Sequence, residues 1–310
     1  MNVGSLVHWF TDPLQYAFMQ RAMLEVILTG MACGLIGTYV VLRGMAFIGD
    51  ALAHAIFPGV VIAYLLHVGI FSGALAFGGI TAVAIGALAR NRRVSEDTAI
   101  GVLFAGMFAL GVVLISTIRG YTTDLASFLF GNVLGVSVQD IFLSVVIGLV
   151  VLVSLITFSK ELILVAFDSE MAEAEGLPVW WIDLGLLILI ALTIVVSLRA
   201  VGNILVVAML VTPAAAARLW TDRLRAMMVL SALFGGLGGI LGLLVSFHAN
   251  VAAGGTIVLV VTVWFGLSLL VAPRHGFLGR MWKPATGAAG LFVEGAVGEV
   301  DPSALSTSPR

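Results

Sequence analysis

AFIGDALAHAIFPGVVIAYLL, residues 46–66, is the stretch whose reading decides the fold. About 20 consecutive apolar residues, wound as a helix, cross a hydrocarbon core of roughly 30 Å. This run has that length, so it predicts a membrane span. It also carries Asp50 and His54 near its start, four residues apart, which a helix places on one face.

The rest of the chain has the same character. Its 310 residues are 61% hydrophobic and 10% charged, where a soluble domain carries about 25% charge. The chain therefore reads as an all-α polytopic membrane protein. Further apolar runs fall at about 17–42, 71–89, 98–118, 139–159, 179–198, 203–219, 226–247 and 255–272. With 46–67 they predict nine crossings. The run at 203–219 is the weakest, because Pro213 interrupts it and Arg218 closes it. A broken or re-entrant helix is its second reading, with eight crossings as the alternative count and Met209, Thr212 and Pro213 as candidates to line a path. Residues 121–137 are too short and polar to span and are predicted to lie against one membrane surface.

Orientation follows from Lys and Arg. Nine crossings with the N-terminus outside put twelve of the 15 basic residues on the cytoplasmic side, leaving only Arg21, Arg119 and Arg199 outside. The same reading divides the chain into an extracytoplasmic segment (1–14), a membrane domain (15–275) and a flexible cytoplasmic tail (276–310) rich in Gly, Ala, Ser and Pro. GMACGLIG (30–37) and GGLGGILG (235–242) carry small-xxx-small spacings that let helix backbones approach closely. Ordinary helix packing is their first reading and self-association their second.

Several classes are excluded. A net charge of −2 gives no basic face for nucleic acid. One cysteine, Cys33, allows no internal disulfide, and the first residues lack the pattern of a cleaved signal. The sequence holds no G-x-x-x-x-G-K-[ST] phosphate loop and no H-E-x-x-H, so nothing in it points to an enzyme.

Two polar constellations remain. At about 1.5 Å rise per residue, Asp50 and His54 lie roughly 6 and 12 Å in from the inner end of their helix. A carboxylate at the centre of such a helix costs about 2.5–3.5 kcal/mol on insertion scales. One reading is structural, with Asp50 capping a helix or pairing with Arg43 while His54 bonds a backbone carbonyl. The other is a divalent cation path, because a carboxylate oxygen and an imidazole nitrogen on adjacent turns suit Zn²⁺ or Mn²⁺. Pro58-Gly59 is expected to loosen the helix beside this pair. A proton-coupled carrier using the two groups as a relay is the alternative function.

The second constellation is AFDSEMAEAEGLPVWW, 166–181. Asp168 or Ser169 is predicted to cap a short helix, Gly176 to end it and Pro178 to prevent its continuation. Such a helix is too short to span, so it lies along the surface and exposes Glu170, Glu173 and Glu175. It reads as a solvated loop or as a docking helix for a cytosolic partner. Elsewhere, Glu25 is expected to pair with Arg21, and His248 to sit in water at an outer helix end.

These residues carry a family likeness. YVVLRGMAFIGDALAHAIFPGV (39–60) resembles the signature region of the permeases of zinc, manganese and iron ABC importers, the ABC-3 family. The likeness continues through EDTAIGVLFAGMFALGVVLIS (96–116), FLFGNVLGVS (128–137), FDSEMAEAEGLP (167–178), VGNILVVAMLVTPAAAARLW (201–220) and GGTIVLV (254–260). It implies a homodimeric permease in a bacterial cell membrane, two separate ATPase subunits that hold the ATP, and an extracytoplasmic metal-binding lipoprotein. No covalently bound cofactor is implied, the metal being cargo: Mn²⁺ or Zn²⁺, then Fe²⁺. The resemblance makes Asp50 and His54 the metal residues, with His248 as an accessory. It makes Asp168, Ser169, Glu170, Met171, Glu173, Glu175 and Gly176 part of the helix that couples to the ATPase. One departure stands out: family members often carry Asp-Leu-Pro-Thr-Gly before the final span, where this chain has Asn250 and Ala252 in place of the acid and the proline.

Overall fold

A computed structural model of the chain describes residues 9, 11–90, 94–117, 133–273 and 276–277. The segment predicted to lie on the membrane surface falls largely outside the described residues, as do most of the N-terminal segment and the tail. Apart from a single 3₁₀ turn (Val133–Gly135), the regular elements among the described residues are α-helices: α1 (Ala17–Leu42), α2 (Ile48–Ala55), α3 (Phe57–Leu65), α4 (Ile70–Ala89), α5 (Glu96–Ser116) and α6 (Val138–Thr157). They continue with α7 (Ser159–Phe167), α8 (Ser169–Ala174), α9 (Val179–Val201), α10 (Asn203–Trp220), α11 (Leu224–Ala249) and α12 (Ala253–Val271). Counting α2 and α3 as one span, nine helical segments among the described residues are long and apolar enough to cross a membrane. The predicted spans agree with them to within a few residues at each end.

The centre of the bundle is α1, packed by α11, α10 and α6. Small residues make this contact possible. A Cβ added at Gly30 would stand 2.7 Å from the backbone of Gly235, so only hydrogen fits there. One turn on, Ser231 Oγ donates to the Gly34 carbonyl (2.7 Å). The two glycine-rich stretches therefore face each other within one chain, as ordinary helix packing requires.

The segment after α9 forms a full crossing, as nine spans require, rather than the broken helix that Pro213 allowed. The residues from Asn203 to Trp220 form one continuous helix with Pro213 inside it. Proline removes one backbone bond and crowds the preceding turn. Here Pro213 is buried, and α10 is braced by α1, α11 and α12, so the bundle supplies the support that the missing bond would have given. Met209 does not line a path: it is fully buried, and its methyl end would meet a Cβ at Gly239.

Glu25 also departs from expectation. It is fully buried, and its Oε1 accepts from Ser144 Oγ on α6 (2.5 Å) and Thr29 Oγ1 (3.2 Å) rather than from the exposed Arg21. Bringing the carboxylate inside leaves it to hydroxyl donors supplied by a neighbouring helix, which an i−4 pairing on the helix surface cannot match. Helix α7 was not anticipated. It follows a break at Phe158 and, with α8 and the start of α9, forms a separate apolar cluster of Val165, Ala172 and Val179.

Candidate functional site

The α1–α2 turn sets the position of the intramembrane pair. Gly44 adopts φ +73, Met45 N donates back to the Val40 carbonyl, and Ile48 N donates to the Met45 carbonyl. Helix α2 then starts at Ile48, so Asp50 lies in its first turn and His54 in its last. An acid near a helix N-terminus is favoured by the helix dipole. The two side chains meet as the spacing predicts, with Asp50 Oδ1 3.4 Å from His54 Nε2. The Asp50 side chain is 48% exposed and that of His54 22%. Arg43 does not pair with Asp50; it is held by Asp183 on α9 at 2.5 Å.

The helix breaks for one residue at Ile56 and resumes as α3 with Pro58 in its first turn. Proline is well suited there, since the first N–H groups of a helix have no partner within it. It cannot donate to the His54 carbonyl, and the Ile56 N–H reaches that acceptor instead, alongside its bond to the Leu52 carbonyl. Gly59 has a different role from the one expected. A Cβ on it would stand 2.3 Å from the Gly73 carbonyl oxygen, so it permits contact with α4 rather than loosening the chain.

Three neighbours of His54 were not foreseen. Phe104 and Phe108 on α5 approach its ring edge-on, with centroids at 5.5 and 5.3 Å. These rings fix the imidazole plane and shield it from water. On another side, Asn203 Nδ2 lies 3.1 Å from His54 Nε2. Asn203 is the first residue of α10, placed there by Gly202, whose φ of +82 reverses the chain directly after α9. It is 4% exposed, and its Oδ1 has no partner. The signal for it was a polar residue following glycine at the head of an apolar run. Among the described residues, no three His, Cys, Asp or Glu side chains gather closely enough to hold a metal ion. The pair therefore offers a carboxylate and an imidazole, with an amide beside them.

The second constellation folds as its sequence predicts. Asp168 is the N-cap, its Oδ1 accepting from Met171 N at 2.9 Å. Helix α8 runs over six residues from Ser169, and Gly176 closes it at φ +83. Leu177 N then donates to the Ala172 carbonyl, and Pro178 opens α9. Ala172 points inward and is fully buried, while Ser169, Glu170, Met171, Glu173 and Glu175 are exposed. A cleft of about 340 Å³ lies behind this helix, lined by Glu170, Glu173, Arg43, Arg90, Trp180 and Asp183 among others.

His248 stands apart from both. It is exposed in the last turn of α11, its ring stacked on Trp9 with centroids 4.7 Å apart, and its Nδ1 donates to the Leu244 carbonyl at 2.9 Å. The structure thus brings Asp50 and His54 together and leaves His248 at the end of a different helix.

Comparison with known proteins bears on the family and the fold. The family model described as the ABC 3 transport family matches residues 15–272. The manganese transport system membrane protein MntC of Halalkalibacterium halodurans is 47% identical over 281 residues, covering 91% of this chain and 96% of its own. The chelated iron transport system membrane protein YfeD of Yersinia pestis is 40% identical, covering 92% and 96%. Among solved structures, PsaBC from Streptococcus pneumoniae in complex with Fab matches with a TM-score of 0.78 at 38% identity, over 89% of this chain and 99% of that one.

Proposed function

Because this chain belongs to the ABC 3 transport family, we propose that Asp50 and His54 are the residues that pass its cargo through the membrane. The chain is the multi-pass permease subunit of an ATP-driven importer of divalent transition metal ions in the cell membrane. The relatives are named for manganese and iron, so Mn²⁺ and Fe²⁺ come before Zn²⁺ as its cargo. ATP is hydrolysed on separate subunits, since this sequence has no phosphate loop of its own.

The observation that carries the site is the 3.4 Å contact between Asp50 Oδ1 and His54 Nε2 inside a membrane span. A metal ion entering between the two atoms offsets the cost of keeping a carboxylate there. Two protein ligands bind it weakly enough for release, as conduction requires. The half-exposed Asp50 and the neighbouring Phe47, 76% exposed, favour a second copy of the chain against this face. A homodimer would then set two such pairs side by side along one path.

The exposed face of α8, from Ser169 to Glu175 between Asp168 and Gly176, is the docking helix for the ATPase. Its buried Ala172 ties it to α7 and α9, so a push on α8 moves the cytosolic end of α9 with it. An extracytoplasmic binding lipoprotein delivers the metal at the opposite side. The test is uptake of ⁵⁴Mn²⁺ into proteoliposomes holding the complete transporter. Uptake that stops when hydrolysis is blocked, with the proton gradient intact, supports the ATP-driven reading over a proton-coupled carrier. Uptake that continues would sink it.

A further inference from the structure

We infer that Asn203 is a third ligand of the transported cation and biases this permease toward Mn²⁺ over Zn²⁺. This rests on the reading of Asp50 and His54 as the cargo site and adds to it a residue from the far end of the sequence. Three observations support it. First, Asn203 Nδ2 lies 3.1 Å from His54 Nε2, and Asp50 Oδ1 lies 3.4 Å from the same atom. Two donors each about 2.1 Å from one metal are separated by about 3.0 Å at a right angle and about 3.4 Å at a tetrahedral one. The spacing around Nε2 is thus that of ligands sharing an ion.

Second, the Asn203 side chain is almost wholly buried, yet its Oδ1 has no hydrogen-bond partner. A buried acceptor without a partner is costly. Turning the amide by half a rotation exchanges Oδ1 and Nδ2 and places the oxygen beside His54, where it can face an ion. Without metal, the amide N–H instead donates to Nε2. That keeps the imidazole nitrogen in the acceptor form that a metal needs. The same side chain serves both states by turning in place.

Third, the backbone holds Asn203 where it is. It sits directly after Gly202 at φ +82, at the junction of α9 and α10, and α10 is braced by α1, α11 and α12. The amide turns while its Cα stays put.

The added donor is a neutral, hard oxygen. Carbonyl and carboxylate oxygens suit Mn²⁺, whereas imidazole suits Zn²⁺. Mn²⁺ also takes more ligands than the four usual for Zn²⁺, so it gains more from a third one. Adding Asn203 to an Asp–His pair therefore helps Mn²⁺ more. A residue that only orients His54 would act on both ions alike.

Purified, fully assembled transporter titrated with Mn²⁺ alone, followed by electron paramagnetic resonance, gives its manganese affinity. Competition against a zinc-chelating dye gives its zinc affinity. Since loss of an outer-shell partner already costs about tenfold or more in metal affinity, Asn203→Leu is expected to weaken Mn²⁺ by at least that factor and Zn²⁺ by clearly less. Asn203→Asp, which keeps the shape and adds charge, is expected to bind Mn²⁺ at least as tightly as the parent, and it decides the matter if the leucine variant does not assemble. Equal losses for both ions in Asn203→Leu, or weakened Mn²⁺ binding in a folded Asn203→Asp, would overturn the inference. Asp50→Ala serves as the control on the underlying reading. If it binds both metals as the parent does, the cargo site itself is misplaced and the inference goes with it. If it loses both while Asn203→Leu shows no selectivity change, the site stands and only the role of Asn203 is lost.

Discussion

Asp183, in the second turn of α9, holds Arg43 at 2.5 Å across one end of the bundle. Arg43 ends α1, and the tight turn after it leads directly to Asp50. The other end of α9 runs through Gly202 into Asn203, which touches His54. One helix therefore grips the segment bearing Asp50 and His54 at both ends. Its N-terminal start is packed against α8, the proposed docking helix. Motion delivered at α8 has a continuous packed route to the Asp–His pair.

The Arg43–Asp183 pair also contributes to stability. The Arg43 side chain is only 8% exposed and that of Asp183 28%, and Glu96 also acts on Arg43, so losing Asp183 costs the charged hydrogen bond, about 1.5–3 kcal/mol. Asp183→Ala is expected to lower the thermal unfolding temperature of the purified protein by several degrees. Arg43→Met combined with Asp183→Leu should recover only part of the loss, since Glu96 then lacks the guanidinium that acts on it. Equal melting temperatures for the parent and Asp183→Ala would contradict this account of the pair.

Asp50→Ala and His54→Ala are each expected to abolish metal uptake while leaving the permease folded and bound to its ATPase. Asp50→Asn should be nearly as harmful, because it removes the charge that offsets the cation. The measurements are uptake by proteoliposomes and co-purification of the ATPase subunit. Normal assembly with wild-type transport in both alanine variants would move the path elsewhere.

Replacing Glu170, Glu173 and Glu175 together with glutamine is expected to weaken ATPase docking by a factor that shrinks as salt rises, since exposed charges are screened. The buried Ala172 and the Asp168 cap are untouched by these changes, so α8 should keep its shape. Co-purification across a salt series reads the effect. Separately, a cysteine at Glu173 should resist a membrane-impermeant reagent applied to intact cells. Its labelling from outside would invert the topology.

What could be read from the sequence was what depends on neighbours along the chain. The spans followed from apolar length, the Asp50–His54 contact from a separation of one turn, and the outline of α8 from Asp168, Gly176 and Pro178. What could not be read depends on which helices meet. Asn203 and His54 are 149 residues apart, Arg43 and Asp183 are 140, and Ser144 and Glu25 are 119. No local pattern pairs them; packing of α1, α2, α6, α9 and α10 does. The Pro213 segment shows the same limit in reverse. A residue that breaks an isolated helix is carried through by the helices around it.

His248 is expected to assist uptake without being essential. Its Nδ1 donates to the Leu244 carbonyl, which leaves Nε2 as the atom able to meet an ion. Its face is covered by Trp9 and its edge approached by Phe247, so the ring is held in place at the C-terminal end of α11. A single exposed imidazole with no carboxylate contact among the described residues, of the kind Asp50 gives His54, holds a divalent ion weakly, and hydration competes with it. Such a group raises the local supply of metal without defining the site. His248→Ala should therefore lower uptake a few-fold when metal is scarce and leave the rate at saturating, metal-loaded binding protein close to that of the parent. His248→Gln, which keeps a polar group of similar reach, should lie between the two. Uptake measured over a range of metal concentrations separates these outcomes. Complete loss of transport at saturation would make His248 a primary ligand and shift the metal site outward from Asp50.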